Sequence, residues 1–143
     1  MNILNVYTDG GARGNPGPAG IGIVFKNSQD ESIHNHKEYI GEATNNQAEY
    51  AAIIRAIELV LKSKWFEENN KKEVSKIVCR LDSQLVVEQI CGNYKVKNSG
   101  IAELMSQLKI LLNQIEIPIE FIHIKREQNK LADKLVNQAI DFR

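Results

Sequence analysis

Apolar positions along this chain switch between a strand-like and a helix-like period, and the switches divide it into elements. Residues 3–8 carry Ile3, Leu4, Val6 and Tyr7, a β-forming run that predicts a buried strand stopping at Asp9-Gly10-Gly11. A Gly- and Pro-rich loop, GGARGNPGPAG, follows, and residues 20–26 resume as a strand on Ile21, Ile23, Val24 and Phe25. The polar turn at 27–30 predicts a hairpin into a third strand over 31–40, which His34, Asn35 and His36 weaken as poor strand formers. Thr44 or Asn45 then caps a long helix, with Ala48, Ala51, Ala52, Ile54, Ala56, Leu59 and Val60 at helical spacing. That helix is expected to reach about Phe66 and to be ended by the EENNKK stretch. Residues 74–81 read as a strand on Val74, Ile77, Val78 and Leu81. Ser83 caps a short helix through Glu88 to Ile90, which Cys91-Gly92-Asn93 breaks. After a loop over 94–99, Ile101, Leu104, Met105, Leu108 and Leu111 mark an amphipathic helix over 101–112. The last strand spans 117–124, with Pro118 near its start, where a missing donor is tolerated. A polar loop at 125–128 and Asn129 as N-cap lead into a terminal helix on Leu131, Leu135, Val136 and Ile140.

Three consecutive strands suit an antiparallel meander, and strands separated by helices suit right-handed parallel crossovers. The expectation is an α/β domain with a mixed five-stranded sheet flanked by helices. With 143 residues, the chain has the size of one domain, and residues 1–143 are read as such. No repeat, linker or low-complexity tract divides it.

Composition narrows the field. The chain is 43% hydrophobic and 25% charged, as in ordinary globular proteins. Lys+Arg and Asp+Glu are both 18, which excludes a strongly cationic coat but leaves room for a local basic face. Cys79 and Cys91 have no metal-ligand spacing, so neither a zinc site nor a disulfide framework is expected, and a cytoplasmic location is. No apolar run is long enough to span a bilayer, so no membrane partner is expected.

Four acidic residues change this picture: Asp9 in YTDGG, Glu49 in TNNQAEY, Asp82 in CRLDSQ and Asp133 in NKLADKL. Taken singly, each has an ordinary reading: Asp9 as a turn residue, Asp82 as a helix cap, Glu49 and Asp133 as solvated helix residues. The predicted topology places Asp9 and Asp82 at strand ends, where ligand sites of open α/β sheets collect. Glu49 and Asp133 fall near helix starts, and Ala48, Ala51 and Ala52 allow a close approach to the sheet. Four carboxylates at one point repel unless a cation neutralises them. That predicts a hard divalent metal site for Mg²⁺, and two such ions can clamp a phosphodiester.

The chain resembles the type 1 ribonuclease H family over nearly its full length. The resemblance is carried by four blocks in order: YTDGGARGNPGPAGIG, TNNQAEYAAIIRAIE, LDSQLVVEQICGNYKVKN and HIKREQNKLADKLVNQAI. It implies a ribonuclease H-like fold with strand order 3-2-1-4-5. It also implies endonucleolytic cutting of the RNA strand of an RNA–DNA hybrid, leaving 5′-phosphate and 3′-hydroxyl ends. Asp9 is then expected to bridge two Mg²⁺ ions, with Asp133 sharing the ion that activates water, and Glu49 and Asp82 sharing the other. Mn²⁺ is an acceptable substitute, since both ions take oxygen ligands.

The resemblance assigns reading of the 2′-hydroxyl, which distinguishes RNA from DNA, to Gly11, Ala12, Arg13, Gly14, Asn15, Asn45, Asn46 and Gln47. Their chemistry suits it: Asn and Gln offer donor and acceptor together, and glycine admits close backbone approach. Read alone, GGARGNPGP is also a simple loop. Ser83, Gln84, Tyr94, Lys95, Lys97 and Asn98 are candidates for the DNA strand, although Lys95 and Lys97 equally suit a solvated loop. Arg126, Glu127 and Lys130 are auxiliary candidates near the scissile region. The chain departs from some family members in having only GNYKVKNSG where they carry a basic protrusion, which predicts substrate affinity that is weaker or more dependent on other contacts. Its KREQNK loop also lacks the histidine some members place there, and His123, inside the last strand, is given a structural role. The rivals are a binding module that does not cut, a related nuclease for duplex RNA or DNA, and a domain like that of a reverse transcriptase. The start at Met favours a stand-alone monomer without an obligate protein partner.

Overall fold

The computed structural model describes residues 2–70 and 74–143. Its five strands are β1 (Asn2–Ala12), β2 (Gly17–Lys26), β3 (Ser32–Ala43), β4 (Val74–Leu81) and β5 (Ile119–His123). Its helices are α1 (Asn45–Lys62), α2 (Lys64–Asn70), α3 (Gln84–Ile90), α4 (Ser99–Leu112) and α5 (Lys130–Asp141), with a 3-10 turn at Arg126–Gln128. The strands lie in the order β3-β2-β1-β4-β5. The β1–β2 and β2–β3 pairs are antiparallel, and β1–β4 and β4–β5 are parallel. The expected mixed sheet and its order are therefore present.

Element boundaries differ from the sequence expectation for local reasons. β1 does not stop at Asp9 but runs on to Ala12, because β2 stays paired with it through Gly11–Gly20 and Ala12–Ala19. β3 is longer than expected despite its histidines, since pairing with β2 from Ala43 back to Ser32 supplies the backbone partners that propensity does not. The first helix ends at Lys62 rather than Phe66. Ser63 turns to an extended conformation there, its N–H bonded to the Val60 carbonyl, and its Oγ accepts from Phe66 N–H as α2 begins. The described part of EENNKK is helical, in α2, whereas its two lysines lie outside the described residues. Thr44 is the N-cap of α1, with a reciprocal Thr44–Gln47 capping box.

The main core lies between the sheet and α1, α3 and α4. Tyr50, Ile53 and Ile57 of α1 are fully buried against Leu4, Val6, Ile21, Ile23, Ile77 and Leu81 of the sheet. Each buried Ile stabilises the fold by about 1.5–3 kcal/mol. The other face carries α5, whose Ala132 and Leu135 pack with Val24 and Tyr7.

Two glycines set how closely these helices approach. A Cβ on Gly10 would lie 2.2 Å from the Ala48 carbonyl of α1, and one on Gly22 would lie 2.2 Å from the Ala132 carbonyl of α5. Asp9 pairs with Gly22 and precedes Gly10, so both helices press on the sheet beside Asp9, from opposite faces.

Candidate active site

The last β1–β4 pair is Thr8 with Leu81, so Asp9 and Asp82 lie side by side where the two strands separate. Glu49 comes from the early turns of α1, whose approach Gly10 permits, and Asp133 from the first turn of α5. Carboxylate oxygens of Asp9, Glu49 and Asp82 lie within 4.8 Å of one another. Asp133 joins them in lining an open cleft of about 470 Å³, together with Gly10, Gly11, Ala12, Arg13, Asn45, Asn46, Ser83, Arg126 and Asn137. A second cavity of similar size, about 480 Å³, is apolar and sits at the other end of β1, between Leu4, Phe25, Ile33, Trp65 and Phe66. It gathers no cluster of carboxylates.

The electrostatics of the carboxylates follow from burial. Asp9 is 7% exposed and Glu49 8%. Loss of hydration pushes Asp9 up to about 7, and the Asp82 and Asp133 charges add to the rise while a hydrogen bond with Glu49 opposes it. Burial likewise raises Glu49 well above the usual carboxylate range, with the Asp9 charge next in weight, against a weak pull from Gly10 N–H, which donates to Oε1 at 3.3 Å. Glu49 Oε2 is buried with no partner. Burial and like charge thus both favour the protonated forms of Asp9 and Glu49 when no cation is bound.

The donor set fits a hard divalent cation: all-oxygen, anionic, clustered, and with one buried oxygen unpaired. Carboxylate ligands with raised proton affinity become ionised when such a cation replaces the proton.

Neighbouring candidates occupy defined places. Asn45 Oδ1 accepts from Ala12 N–H at 2.9 Å, and Asn15 Oδ1 accepts from Asn45 N–H at 2.9 Å, so the Gly-rich hairpin and the start of α1 are stitched together. Gln47 Oε1 is held by Thr44 N–H in the capping box. Arg13, Asp141 and Asn137 form a hydrogen-bonded group in which the Arg13 guanidinium keeps the Asp141 carboxyl low. Ser83 caps α3 through Val86 N–H, and Asn98 caps α4 through Ile101 N–H. Gly11, Ala12, Arg13, Asn45, Asn46, Ser83 and Arg126 line the cleft, whereas Gly14, Asn15, Gln47, Gln84, Tyr94, Lys95, Lys97, Asn98, Glu127 and Lys130 do not. Tyr94, Lys95, Lys97 and Asn98 form an exposed connection between α3 and α4. His123 is the exposed last residue of β5.

Sequence reasoning treated Asn129 only as a helix cap. It precedes α5, but its side chain makes no cap hydrogen bond. Its amide nitrogen instead donates to the Thr8 carbonyl at 2.9 Å and to Asp82 Oδ2 at 3.0 Å. Asn137, also missed, lies one turn after Asp133 and reaches back to its carbonyl. An amide four residues before or after an acidic residue on one helix face was the available signal.

A 3-2-1-4-5 sheet whose central strands lead into a carboxylate-lined cleft defines the class, the ribonuclease H fold. Comparison with known proteins agrees. The family described as "Reverse transcriptase-like" matches residues 7–139. The ribonuclease H of Ruthia magnifica subsp. Calyptogena magnifica is 31% identical over 155 residues, spanning 99% of this chain and 97% of that protein. The solved structure of LC11-RNase H1, isolated from compost by a metagenomic approach, is 42% identical with a TM-score of 0.85, covering 99% of this chain and 98% of that one. The bifunctional protein Rv2228c of Mycobacterium tuberculosis is 36% identical over 137 residues, and there the match spans 95% of this chain but only 35% of the relative. The chain belongs to the ribonuclease H family.

Proposed function

We propose that this chain hydrolyses the RNA strand of RNA–DNA hybrids endonucleolytically, leaving 5′-phosphate and 3′-hydroxyl ends. The observation that carries this reading is the convergence of Asp9, Glu49 and Asp82 within 4.8 Å in a cleft that Asp133 also lines. LC11-RNase H1, whose structure has also been solved in complex with an RNA/DNA hybrid, is 42% identical to this chain in that complex and has a TM-score of 0.87. That relationship supports the same substrate class here.

In this reading Asp9, Glu49, Asp82 and Asp133 hold two Mg²⁺ ions, or Mn²⁺ in their place. When bound, such ions stabilise charge on phosphoryl oxygens and supply a strong nucleophile from water at neutral pH. The chain's own groups place the substrate. The hairpin backbone around Gly11 and Ala12 and the side-chain amides of Asn45 and Asn46 line the same cleft as the carboxylates, which suits reading of a minor groove and its 2′-hydroxyls. Asn45 commits its oxygen to Ala12 N–H, which leaves its amide nitrogen as the group to donate to a hydroxyl. Arg126, which lines the same cleft, adds positive charge for a phosphate. Residues 1–143 are read as one catalytic domain, monomeric and cytoplasmic. The single sheet supports one domain, and the free thiols of Cys79 and Cys91 suit a reducing compartment.

The test is cleavage of end-labelled RNA–DNA hybrid, RNA duplex and DNA duplex, each with Mg²⁺ and with chelator. The expected result is metal-dependent cutting of RNA in the hybrid alone. Cutting of duplex RNA as well would widen the specificity. Hybrid binding without cutting of any substrate would replace the enzyme by a binding module.

A further inference from the structure

We propose that Asn129 is a positioning residue that clamps the Asp82 carboxylate and ties the start of α5 to β1 beside Asp9 and to the residue that follows β4. The inference rests on reading the four carboxylates as the metal-binding set.

Asn129 is 2% exposed, although it lies between a solvated 3-10 turn and the first turn of a helix. Asparagine is a favoured N-cap, yet this side chain leaves the α5 amides uncapped. Its Nδ2 donates both to the carbonyl of Thr8, the residue before Asp9, and to Asp82 Oδ2. Its backbone carbonyl accepts from Asp133 N–H at 3.1 Å. One residue thus touches the immediate surroundings of three of the four carboxylates, in three separate stretches of the chain.

The orientation of its amide is fixed by chemistry. Both partners of Nδ2 are acceptors, so a flipped amide would set Oδ1 against two oxygens. Oδ1 is itself buried and unpaired, so the residue is held in place by its donor end. Asp82 stands beside Asp9 and Glu49, and like charges drive it away from them. A buried neutral donor holds one Asp82 oxygen against that repulsion and leaves the other for a cation, without adding a charge that would compete with one. Groups that orient metal ligands in this way alter metal affinity or activity by about 10–100-fold when removed.

Asn129→Asp is nearly isosteric but, once ionised, removes the donor and faces Asp82 with a carboxylate, so it is compared at a pH well above neutral. Asn129→Ala removes the donor and the packing together. The measurements are Mn²⁺ binding by calorimetry without substrate, hybrid binding in chelator, steady-state cleavage, and melting temperature. The aspartate variant is expected to bind Mn²⁺ about 10–100-fold more weakly and to lose a comparable factor in kcat at fixed Mg²⁺, with hybrid binding in chelator unchanged. It is also expected to suffer more than alanine, an order that a packing role would reverse, since aspartate fills the space better. Should Asn129→Asp not fold, Asn129→Ser, a good cap with a hydroxyl too short to reach Asp82, carries the same test. Wild-type Mn²⁺ affinity and turnover in the donor-less variants, or a larger loss in alanine than in aspartate, would overturn the role while leaving the proposed function standing. A wild-type chain that neither binds Mn²⁺ nor cuts hybrid would overturn both.

Discussion

Under α1, Tyr50, Ile53 and Ile57 are sealed from water, and the Tyr50 hydroxyl donates to Gln89 Oε1 at 2.7 Å. At the strand ends, Thr8 Oγ1, Glu49 Oε2 and Asn129 Oδ1 are equally buried but have no partner, and they are the only such side-chain atoms among the described residues. The same helix and the same strand contribute to both regions. In the first, dehydration falls on apolar atoms and stabilises the fold. In the second, it falls on polar and ionisable atoms and costs stability. Chain stability and site chemistry are therefore separable here, and a ligand that restores partners at the strand ends is expected to stabilise the whole domain.

The largest break in the comparison is Asp9→Asn. Loss of a central anionic ligand worth several kcal/mol of charge stabilisation should lower kcat by roughly 10³-fold or more. The same change removes like-charge repulsion, so the melting temperature in chelator should rise. A fall in both would show that the carboxylates are not frustrated in the free chain.

Ile53→Ala is the converse. It opens a cavity in the α1 core and should cost about 2–5 kcal/mol by urea unfolding. Cleavage rates measured well below its melting temperature should stay near wild type.

The next prediction concerns pH. Asp9, raised to about 7, and Glu49, raised well above its usual range, hold protons in the folded chain after the unfolded chain has released them. Their contribution is therefore full below about pH 4 and is lost as pH rises toward the folded value, on the order of a few kcal/mol in all. Urea midpoints in chelator should accordingly fall between about pH 5 and about pH 8, and Mg²⁺ should restore most of the loss at the higher value. A flat profile in chelator would remove the cluster from the stability balance.

The smallest effect is expected from Asp141→Asn. Its partner Arg13 is exposed, and exposed pairs contribute little. The melting temperature should barely move in low salt and not at all in high salt.

Much of this was legible in the sequence. The 3.6-residue period placed α1, α4 and α5, and the order of strands and helices left few topologies for the sheet. The four acidic residues drew notice because each was expected at an element edge among small residues; in the structure Asp9 lies inside β1 and Glu49 in the second turn of α1, and it is the packing of α1 on Gly10 that brings Asp9 and Glu49 together. What stayed hidden depends on partners far away in the chain. Ile53 and Ile57 are the centre of the α1 face, but an alanine-weighted pattern drew attention to Ala51 and Ile54, which are only partly buried. β1 reaches Ala12 only because β2 returns beside it. The use of Asn129 was illegible for the same reason: its local context is that of a cap, and its hydrogen-bond acceptors come from β1 and from the residue just after β4.

The hydrogen bond from Asn129 to Thr8 spans 121 positions of sequence, and that from Arg13 to Asp141 spans 128. α5 is therefore made after every strand it covers, and it must reach back to the first of them. During synthesis, the growing chain has Asp9, Glu49 and Asp82 well before it has Asp133 or the clamp on Asp82. Such non-local closure is the slow part of folding. The four carboxylates therefore come together only once α5 has docked against the strands that precede it.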